Sequence, residues 1–218
     1  MTVRHTFLRD KRIFAGAAAL LLQAMSIASA TTYHVAVTGN DNAQGTQSRP
    51  WRTLQRAANS ANPGDAILVA TGVYREKLAF VRGGSPDKKI MFKNSPGQFP
   101  VIDGQGLEIG KWGALVSFNN VGHVRLEGFE IRNSGAYNVS VSGESHHLEI
   151  VALKVHDGAY SGIWMEGPEH RPAMSVIYGN QVYNHKGGGI TLWTSGGGYY
   201  RIDSNEVWGN AGTGNYDG

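Results

Sequence analysis

The chain has 218 residues, with 30 glycines, no cysteine and a formal net charge of +3. Its length suits one domain, and the lack of cysteine excludes a fold held together by disulfides. The positive charge belongs to the first 30 residues, which hold four of the 20 basic and one of the 17 acidic residues. The remainder carries 16 of each, so its charge gives no support for nucleic-acid binding.

The N-terminal segment has the pattern of a secretory signal peptide. Basic residues at its start precede an apolar run from Ile13 to Met25 and the small residues Ala28-Ser29-Ala30. The run is shorter than the roughly 20 apolar residues that cross a bilayer, which favours a cleaved signal over a membrane anchor. We therefore predict cleavage after Ala30, a secreted or periplasmic location, and a mature chain of residues 31–218 that does not insert into the membrane.

One amphipathic helix is predicted after the first strand of the mature chain. Between Trp51 and Ala61, apolar side chains follow the helical spacing i, i+3, i+4 and i+7. Pro50 before this range and Asn62-Pro63-Gly64 after it supply start and stop signals. Because the exposed end of a solenoid invites pairing with other chains, we predict that this helix caps the N-terminal end of the fold.

From Val124 onward, the sequence repeats one phrase four times. The copies align on Ile131, Val155, Val182 and Val207, which are 24, 27 and 25 residues apart. Apolar residues alternate with a period of two inside each copy, and glycine, asparagine or serine separates the alternating segments. Three short strands in about 25 residues predict an all-β fold, a parallel β-helix. The main alternative, a leucine-rich repeat, lacks its L-x-x-L-x-L signature here.

Two features of the repeat concern its corners and its end. Asn180 and Asn205 recur between the first and second strands of the last two coils, which predicts a short hydrogen-bonded ladder at a tight left-handed bend. Phe129 and Leu153 occupy this position in the earlier coils. The sequence stops at Gly218, where another apolar couplet is expected. We predict that the β-helix domain is truncated at its C-terminus, and that the full-length protein is a monomer.

The early segments carry a family resemblance. In order they read Y-H-V-A-V-T-G-N-D from Tyr33, P-W-R-T-L-Q-R-A from Pro50, N-P-G-D-A-I-L-V from Asn62, G-V-Y-R-E from Gly72 and P-V-I-D-G from Pro100. This order resembles the start of secreted right-handed β-helix proteins of the pectate lyase-like superfamily, in particular polysaccharide lyase family nine and the chondroitinase B-like lyases. The resemblance implies an exported protein that acts on acidic polysaccharide, commonly by calcium-assisted β-elimination.

The outward side chains of the third strands predict a groove. They form one column of Ser140, Trp164 and Thr191 and a second of Ser142, Glu166 and Trp193, with successive coils about 4.8 Å apart. Aromatic faces beside polar groups suit a sugar chain, whereas the alternative is that the tryptophans only pad a stiff sheet. The predicted substrate-binding residues are Tyr137, Tyr160, Trp164, Arg171 and Trp193.

The loops before the third strands offer candidates for acid–base chemistry. β-Elimination of a uronic acid needs a base for the C5 proton and a cation beside the carboxylate. Lys186, next to a run of three glycines, is the predicted catalytic base, and the adjacent His185 is the second predicted catalytic residue. Arg171 or His170 is the predicted carboxylate clamp, and the alternative for Lys186 is a solvated loop charge. The pair His156 and Asp157 is a second general-base candidate.

Asp157, Glu166 and Asp217 are the candidate calcium ligands, since calcium binds six to eight oxygens and usually several carboxylates. They come from different coils and form no tight D-x-D cluster. For each residue taken singly, the alternative is a local role in a turn.

Three other functions stay open at this stage. A uronate epimerase would share the elimination half-reaction. A non-catalytic carbohydrate-binding or adhesin-like solenoid would need the aromatic residues but no base. A glycosidase would need two acidic groups flanking the scissile bond, and the sequence shows no clustered aspartate pair.

Overall fold

The structure, a computed structural model, describes residues 30–169, 173–193 and 198–211. These ranges contain one helix, α1 (Leu54–Ser60), and 18 short strands. The strands are β1 (Thr32–Val35), β2 (Ala66–Val69), β3 (Gly72–Tyr74), β4 (Leu78–Phe80), β5 (Ile90–Asn94), β6 (Pro100–Asp103), β7 (Ala114–Asn119), β8 (Val124–Glu127), β9 (Glu130–Arg132), β10 (Tyr137–Ser142), β11 (Glu149–Val151), β12 (Lys154–His156), β13 (Ile163–Glu166), β14 (Ser175–Tyr178), β15 (Gln181–Tyr183), β16 (Ile190–Trp193), β17 (Tyr200–Asp203) and β18 (Glu206–Trp208).

The strands form a parallel β-helix of about five turns with three strands in each coil, as predicted. The first sheet has the order β1-β2-β5-β8-β11-β14-β17, the second β3-β6-β9-β12-β15-β18 and the third β4-β7-β10-β13-β16. Each coil runs from the first sheet through the second to the third, and every pair of neighbouring strands is parallel. We call the turns from first to second, second to third and third to first sheet the first, second and third corners.

The register confirms the repeat alignment. Ile131, Val155, Val182 and Val207 are successive partners across the second sheet. The first three are fully buried, whereas Val207 in the last described strand is 48% exposed. Buried residues alternate with outward ones along the strands because a pleated strand points successive side chains to opposite faces. The core is therefore a stack of aliphatic and phenylalanine side chains that runs along the helix axis.

The asparagine ladder at the first corner is confirmed. Asn180 Nδ2 donates to Asn205 Oδ1 at 2.8 Å, and Asn180 Oδ1 accepts from the Leu153 backbone N–H at 2.9 Å. The expected location of the left-handed bend was wrong by one residue. It lies at Gly179 and Ser204, with φ of 65° and 56°, because the asparagine side chains turn inward to bond the strands of the neighbouring coils.

The helix is shorter than predicted. It covers Leu54–Ser60 instead of residues 51–61, because Trp51 pairs with Val35 in a parallel bridge and Thr53 caps the helix. The Thr53 side chain accepts from the Arg56 backbone N–H, and the buried face of the helix covers the N-terminal end of the core. In the described part of the chain, no helix is long and apolar enough to cross a membrane.

Candidate functional site

A cleft of about 390 Å³ opens at the second corner. Its wall includes Asn133, Asp157 and Asn184, which hold the same corner position in three successive coils with φ of 55–58°. Asparagine and aspartate tolerate this left-handed conformation better than most residues, so the corner geometry itself selects amide and carboxylate groups. The corner thus presents a row of polar side chains along the cleft.

Lys186 and Asp157 line the same cleft. The Lys186 backbone N–H donates to the Gly158 carbonyl at 3.1 Å, which fixes the loop against the preceding coil. Glycines make up much of the remaining wall, so backbone groups are accessible there. The cleft therefore offers one amine and one carboxylate among backbone and amide hydrogen-bonding groups.

A row of aromatic rings lies next to the cleft on the third sheet. Tyr137 stacks on Trp164 with centroids 5.3 Å apart, and Tyr160 lies 5.4 Å from Tyr137. Trp112 continues the row at 5.8 Å from Tyr160, and it is 62% exposed. We call Trp112, Tyr160, Tyr137 and Trp164 the aromatic row. Three of its members are sequence candidates, whereas Trp112 was missed because it precedes β7 outside the repeat.

The structure places His185 differently from its neighbour Lys186. His185 is 2% exposed, and its Nδ1 lies 2.9 Å from Asn210 Oδ1. Burial lowers the pKa of His185 and outweighs the opposite effect of the Asn210 hydrogen bond, so the ring is neutral at neutral pH. A neutral, enclosed imidazole suits a packing role at this corner.

His156 is held between two carboxylates on the second sheet. Its Nδ1 lies 2.7 Å from Asp157 Oδ2, and its Nε2 lies 3.3 Å from Glu130 Oε1 without the alignment of a hydrogen bond. Glu130 in turn pairs with Arg132 at 2.8 Å and with Lys154 at 3.8 Å. The charges beside the cleft therefore form one network, which orients Asp157 at the cleft wall.

Asp103 joins this network through Arg132. It is 1% exposed, and it accepts hydrogen bonds from Arg132, Asn133 and the Gln105 backbone N–H. Burial acts to raise the pKa of Asp103, but these bonds and the Arg132 charge outweigh it and lower that pKa. The carboxylate is thus ionised and holds Asn133 at the cleft wall.

A second set of stacked rings lies on the second sheet. His156 stacks on Tyr183 at 4.8 Å, and Tyr183 stacks on Trp208 at 4.6 Å. We call these three residues the second-sheet column. They hold the same strand position in three coils. Each directly follows one of the aligned valines of the repeat, Val155, Val182 and Val207. Alignment of the repeats contains the signal for Tyr183 and Trp208, because both residues directly follow an aligned valine.

The remaining candidates are spread out or lie outside the described residues. Glu166 and Trp193 are register partners at the outer edge of the third sheet, and Trp193 is 59% exposed. Arg171 and Asp217 lie outside the described residues, as does His170. The first predicted outward column is confirmed, since Ser140, Trp164 and Thr191 are successive partners.

The two described calcium candidates, Asp157 and Glu166, belong to no group of three converging ligand atoms within the described residues. Asp157 is engaged with His156, and Glu166 lies on β13 beside Trp193. Within residues 30–169, 173–193 and 198–211, the one group of three acidic, histidine or cysteine residues with converging ligand atoms consists of His123, His146 and His147. Calcium prefers oxygen ligands, so the three histidines do not suit a calcium ion.

Comparison with known proteins places the architecture in a family. Residues 33–214 match the family model described as Pel9A-like, right-handed β-helix region. The crystal structure of pectate lyase Pel9A superposes with a TM-score of 0.68 at 18% identity, over 85% of this chain and 49% of that one. An alginate lyase from Paenibacillus sp. str. FPU-7 gives a TM-score of 0.59 at 13% identity, over 82% of this chain and 58% of that one.

One curated relative is also similar in sequence. The uncharacterized protein YwoF of Bacillus subtilis (strain 168) is 27% identical over 125 residues, which cover 54% of this chain and 27% of YwoF. The chain therefore spans about a quarter of this relative and about half of the pectate lyase. At these identities the solved structures establish the fold alone.

Proposed function

Because this chain belongs to the Pel9A-like right-handed β-helix family, we propose that it acts on acidic polysaccharide and cleaves uronic-acid-containing chains by β-elimination. The observation that carries the proposal is the cleft at the second corner, where Lys186 and Asp157 share a wall next to the aromatic row. The similar folds of pectate lyase Pel9A and the Paenibacillus alginate lyase support the same reaction class.

The aromatic row supplies a platform for the sugar rings. Aromatic faces pack against the apolar C–H faces of sugars, while amide and carboxylate groups accept or donate hydrogen bonds to the hydroxyls. Trp112 and Tyr160 lie at the exposed end of the row, and Asn133 and Asn184 lie along the adjoining cleft wall. A polymer that follows this path contacts rings on one side and polar corner residues on the other.

Lys186 is the proposed base. The neutral amine accepts the C5 proton of a uronate residue, the electrons of the C5–H bond form a C4–C5 double bond, and the C4–O glycosidic bond breaks with its electrons leaving on oxygen. The leaving oxygen takes a proton from water, and the amine returns its own proton to solvent. Arg171 is the proposed partner of the uronate carboxylate, whose charge would otherwise oppose removal of the proton.

The proposal includes dependence on calcium and export of the protein. Asp157, Glu166 and Asp217, together with substrate carboxylates, are the proposed calcium ligands. The signal-like residues 1–30 support export with an N-terminus at Thr31. Mass spectrometry of the exported protein tests this, and an exported chain that still begins at Met1 would rule it out.

The reaction is tested by its product. Each β-elimination creates an unsaturated uronate that absorbs ultraviolet light, so purified protein is incubated with pectate, alginate and glycosaminoglycan while absorbance is followed. We expect growth of this absorbance with one polymer class, its loss with a calcium chelator and its return with added calcium. Binding of a polymer without any such product would contradict the lyase proposal.

Binding without cleavage is the second candidate function. The specific observation in its favour is the second-sheet column, which offers a further set of stacked rings on the second sheet. A solenoid with two aromatic surfaces can hold a polymer without a base. An epimerase is distinguished from both by analysis of the treated polymer, since it changes C5 configuration without shortening the chain.

A further inference from the structure

Three histidines meet at the third corner, away from the cleft. His123 and His147 hold the same position in successive coils, as the pairing of β8 with β11 shows. His146 pairs with Gly122 in the adjoining bridge. His123, His147 and Met174, which follows one coil later, all have left-handed backbone with φ of 46–58°. The corner therefore demands this backbone conformation but not histidine, since methionine satisfies it in the next coil.

The three imidazoles converge on one small volume. Their potential ligand nitrogens all lie within 4.8 Å of one another, and the Nδ1 atoms of His146 and His147 are 2.9 Å apart. The ring centroids are separated by 4.7–5.1 Å. Nitrogens around a tetrahedral zinc ion with bonds of 2.0–2.1 Å lie about 3.3–3.4 Å apart. The observed separations bracket this value, so small ring rotations bring the three nitrogens to coordination distance.

The surroundings make room for this arrangement. A Cβ atom at Gly122 would lie 2.7 Å from Nδ1 of His146, so a side chain at this position would displace the ring. Lys89 holds the same corner position as His123, one coil earlier. Its ammonium is paired with Glu149.

We propose that His123, His146 and His147 form a transition-metal site that takes zinc or a similar divalent ion. Three imidazoles without a carboxylate suit Zn²⁺, Co²⁺, Ni²⁺ or Cu²⁺, and they do not suit calcium or magnesium, which prefer oxygen. The 2.9 Å contact between the Nδ1 atoms of His146 and His147 needs a hydrogen on one of them. In the metal-bound site, the ion takes the place of that hydrogen between the two rings. A fourth position on the ion stays available to water.

A metal at this corner joins the starts of two successive coils. His123 precedes β8, and His146 and His147 precede β11, so coordination ties together two elements that otherwise meet through strand pairing. Ions that bind only the folded chain stabilise it. This site lies at the third corner and the cleft at the second, so its test does not depend on the proposed lyase activity.

The test uses full-length, tag-free protein that has been stripped with a chelator and then dialysed. We expect calorimetric titration with Zn²⁺ to show one ion per chain, and Co²⁺ to produce the visible absorption of a tetrahedral nitrogen site. At about a hundredfold excess of Zn²⁺ over Kd, the Tm should rise by about 5–10 °C. His123→Asn and His147→Asn should each weaken Zn²⁺ binding at least about 100-fold, beyond the about 10–100-fold effect of losing a supporting group.

Asparagine is the replacement of choice because it tolerates the left-handed backbone of both positions. His34→Gln, which removes a histidine from β1, is the matched control and should leave Zn²⁺ affinity and the Co²⁺ spectrum unchanged. Circular dichroism confirms that the variants are folded. The proposal is overturned if Zn²⁺ does not saturate at one ion per chain, or if folded His123→Asn and His147→Asn bind it as tightly as His34→Gln.

Discussion

The Tyr137 ring lies stacked on the Trp164 ring, with centroids 5.3 Å apart and planes 21° apart. This pair forms the less exposed end of the aromatic row, since Tyr137 is 6% exposed and Trp164 is half-buried. The row reaches solvent at the other end through Tyr160 and Trp112. Its exposed end can therefore be changed without disturbing the core.

Removal of Trp112 should weaken polymer binding. Trp112→Ala deletes an exposed ring at the open end of the row, so we expect affinity for the bound polymer to fall about 10-fold, within the range for loss of one aromatic contact. Trp208→Ala is the matched control, because Trp208 is also exposed but lies on the second sheet. Affinity electrophoresis or calorimetry compares the two. A larger loss for Trp208→Ala would instead assign binding to the second-sheet column.

Substitution of Lys186 should abolish turnover while leaving binding intact. Lys186→Arg keeps a long basic side chain at the cleft, but guanidinium does not give up its proton in proteins and cannot act as the base. We expect kcat to fall at least about 100-fold with KM changed less than about threefold. Ultraviolet product formation measures both constants. Undiminished turnover in Lys186→Arg and Lys186→Ala would show that the base is a different residue.

The buried Asp103 should make stability depend on acidity. Hydrogen bonds from Asn133, Gln105 and Arg132 lower its pKa in the folded state, so the unfolded chain binds the proton more readily. The stabilisation is present above the unfolded-state pKa and is lost as pH falls through the folded-state pKa. Urea unfolding should therefore show the wild type losing stability more steeply than Asp103→Asn between about pH 5 and pH 2.

At neutral pH, the wild type should be more stable than Asp103→Asn. Asp103→Asn leaves the Arg132 side of the network without its carboxylate, and we expect a loss of about 1–3 kcal/mol in the free energy of unfolding. Equal pH slopes for the two proteins would contradict the assigned role of Asp103.

Two glycines near the second corner should respond differently to alanine. A Cβ at Gly162 would lie 2.5 Å from Val182 Cγ1 and 2.7 Å from His185 Cε1, both buried, whereas a Cβ at Gly135 meets nothing within 4 Å. Gly162→Ala should cost about 1–3 kcal/mol through overpacking. Gly135→Ala should be neutral or slightly stabilising, since it restricts the unfolded chain. Thermal unfolding compares the pair, and equal Tm values would show that the core at Gly162 is looser than described.

The sequence by itself determined the repeat and its register. Strand alternation has a fixed period of two, and each coil buries its apolar side only against its neighbours. The alignment of Ile131, Val155, Val182 and Val207 therefore follows from spacing alone, as does the inward ladder of Asn180 and Asn205.

Only the tertiary structure decided which corner residues meet and which of them reach solvent. Corners lack the period of a strand, so the opposite burial of the neighbours His185 and Lys186 cannot be read from their order. The contact of Trp112 with Tyr160 depends on how a non-repeating loop lies across the third sheet. The meeting of His123 with His147 depends on the stacking of whole coils, because residues distant in sequence become neighbours only when the coils close.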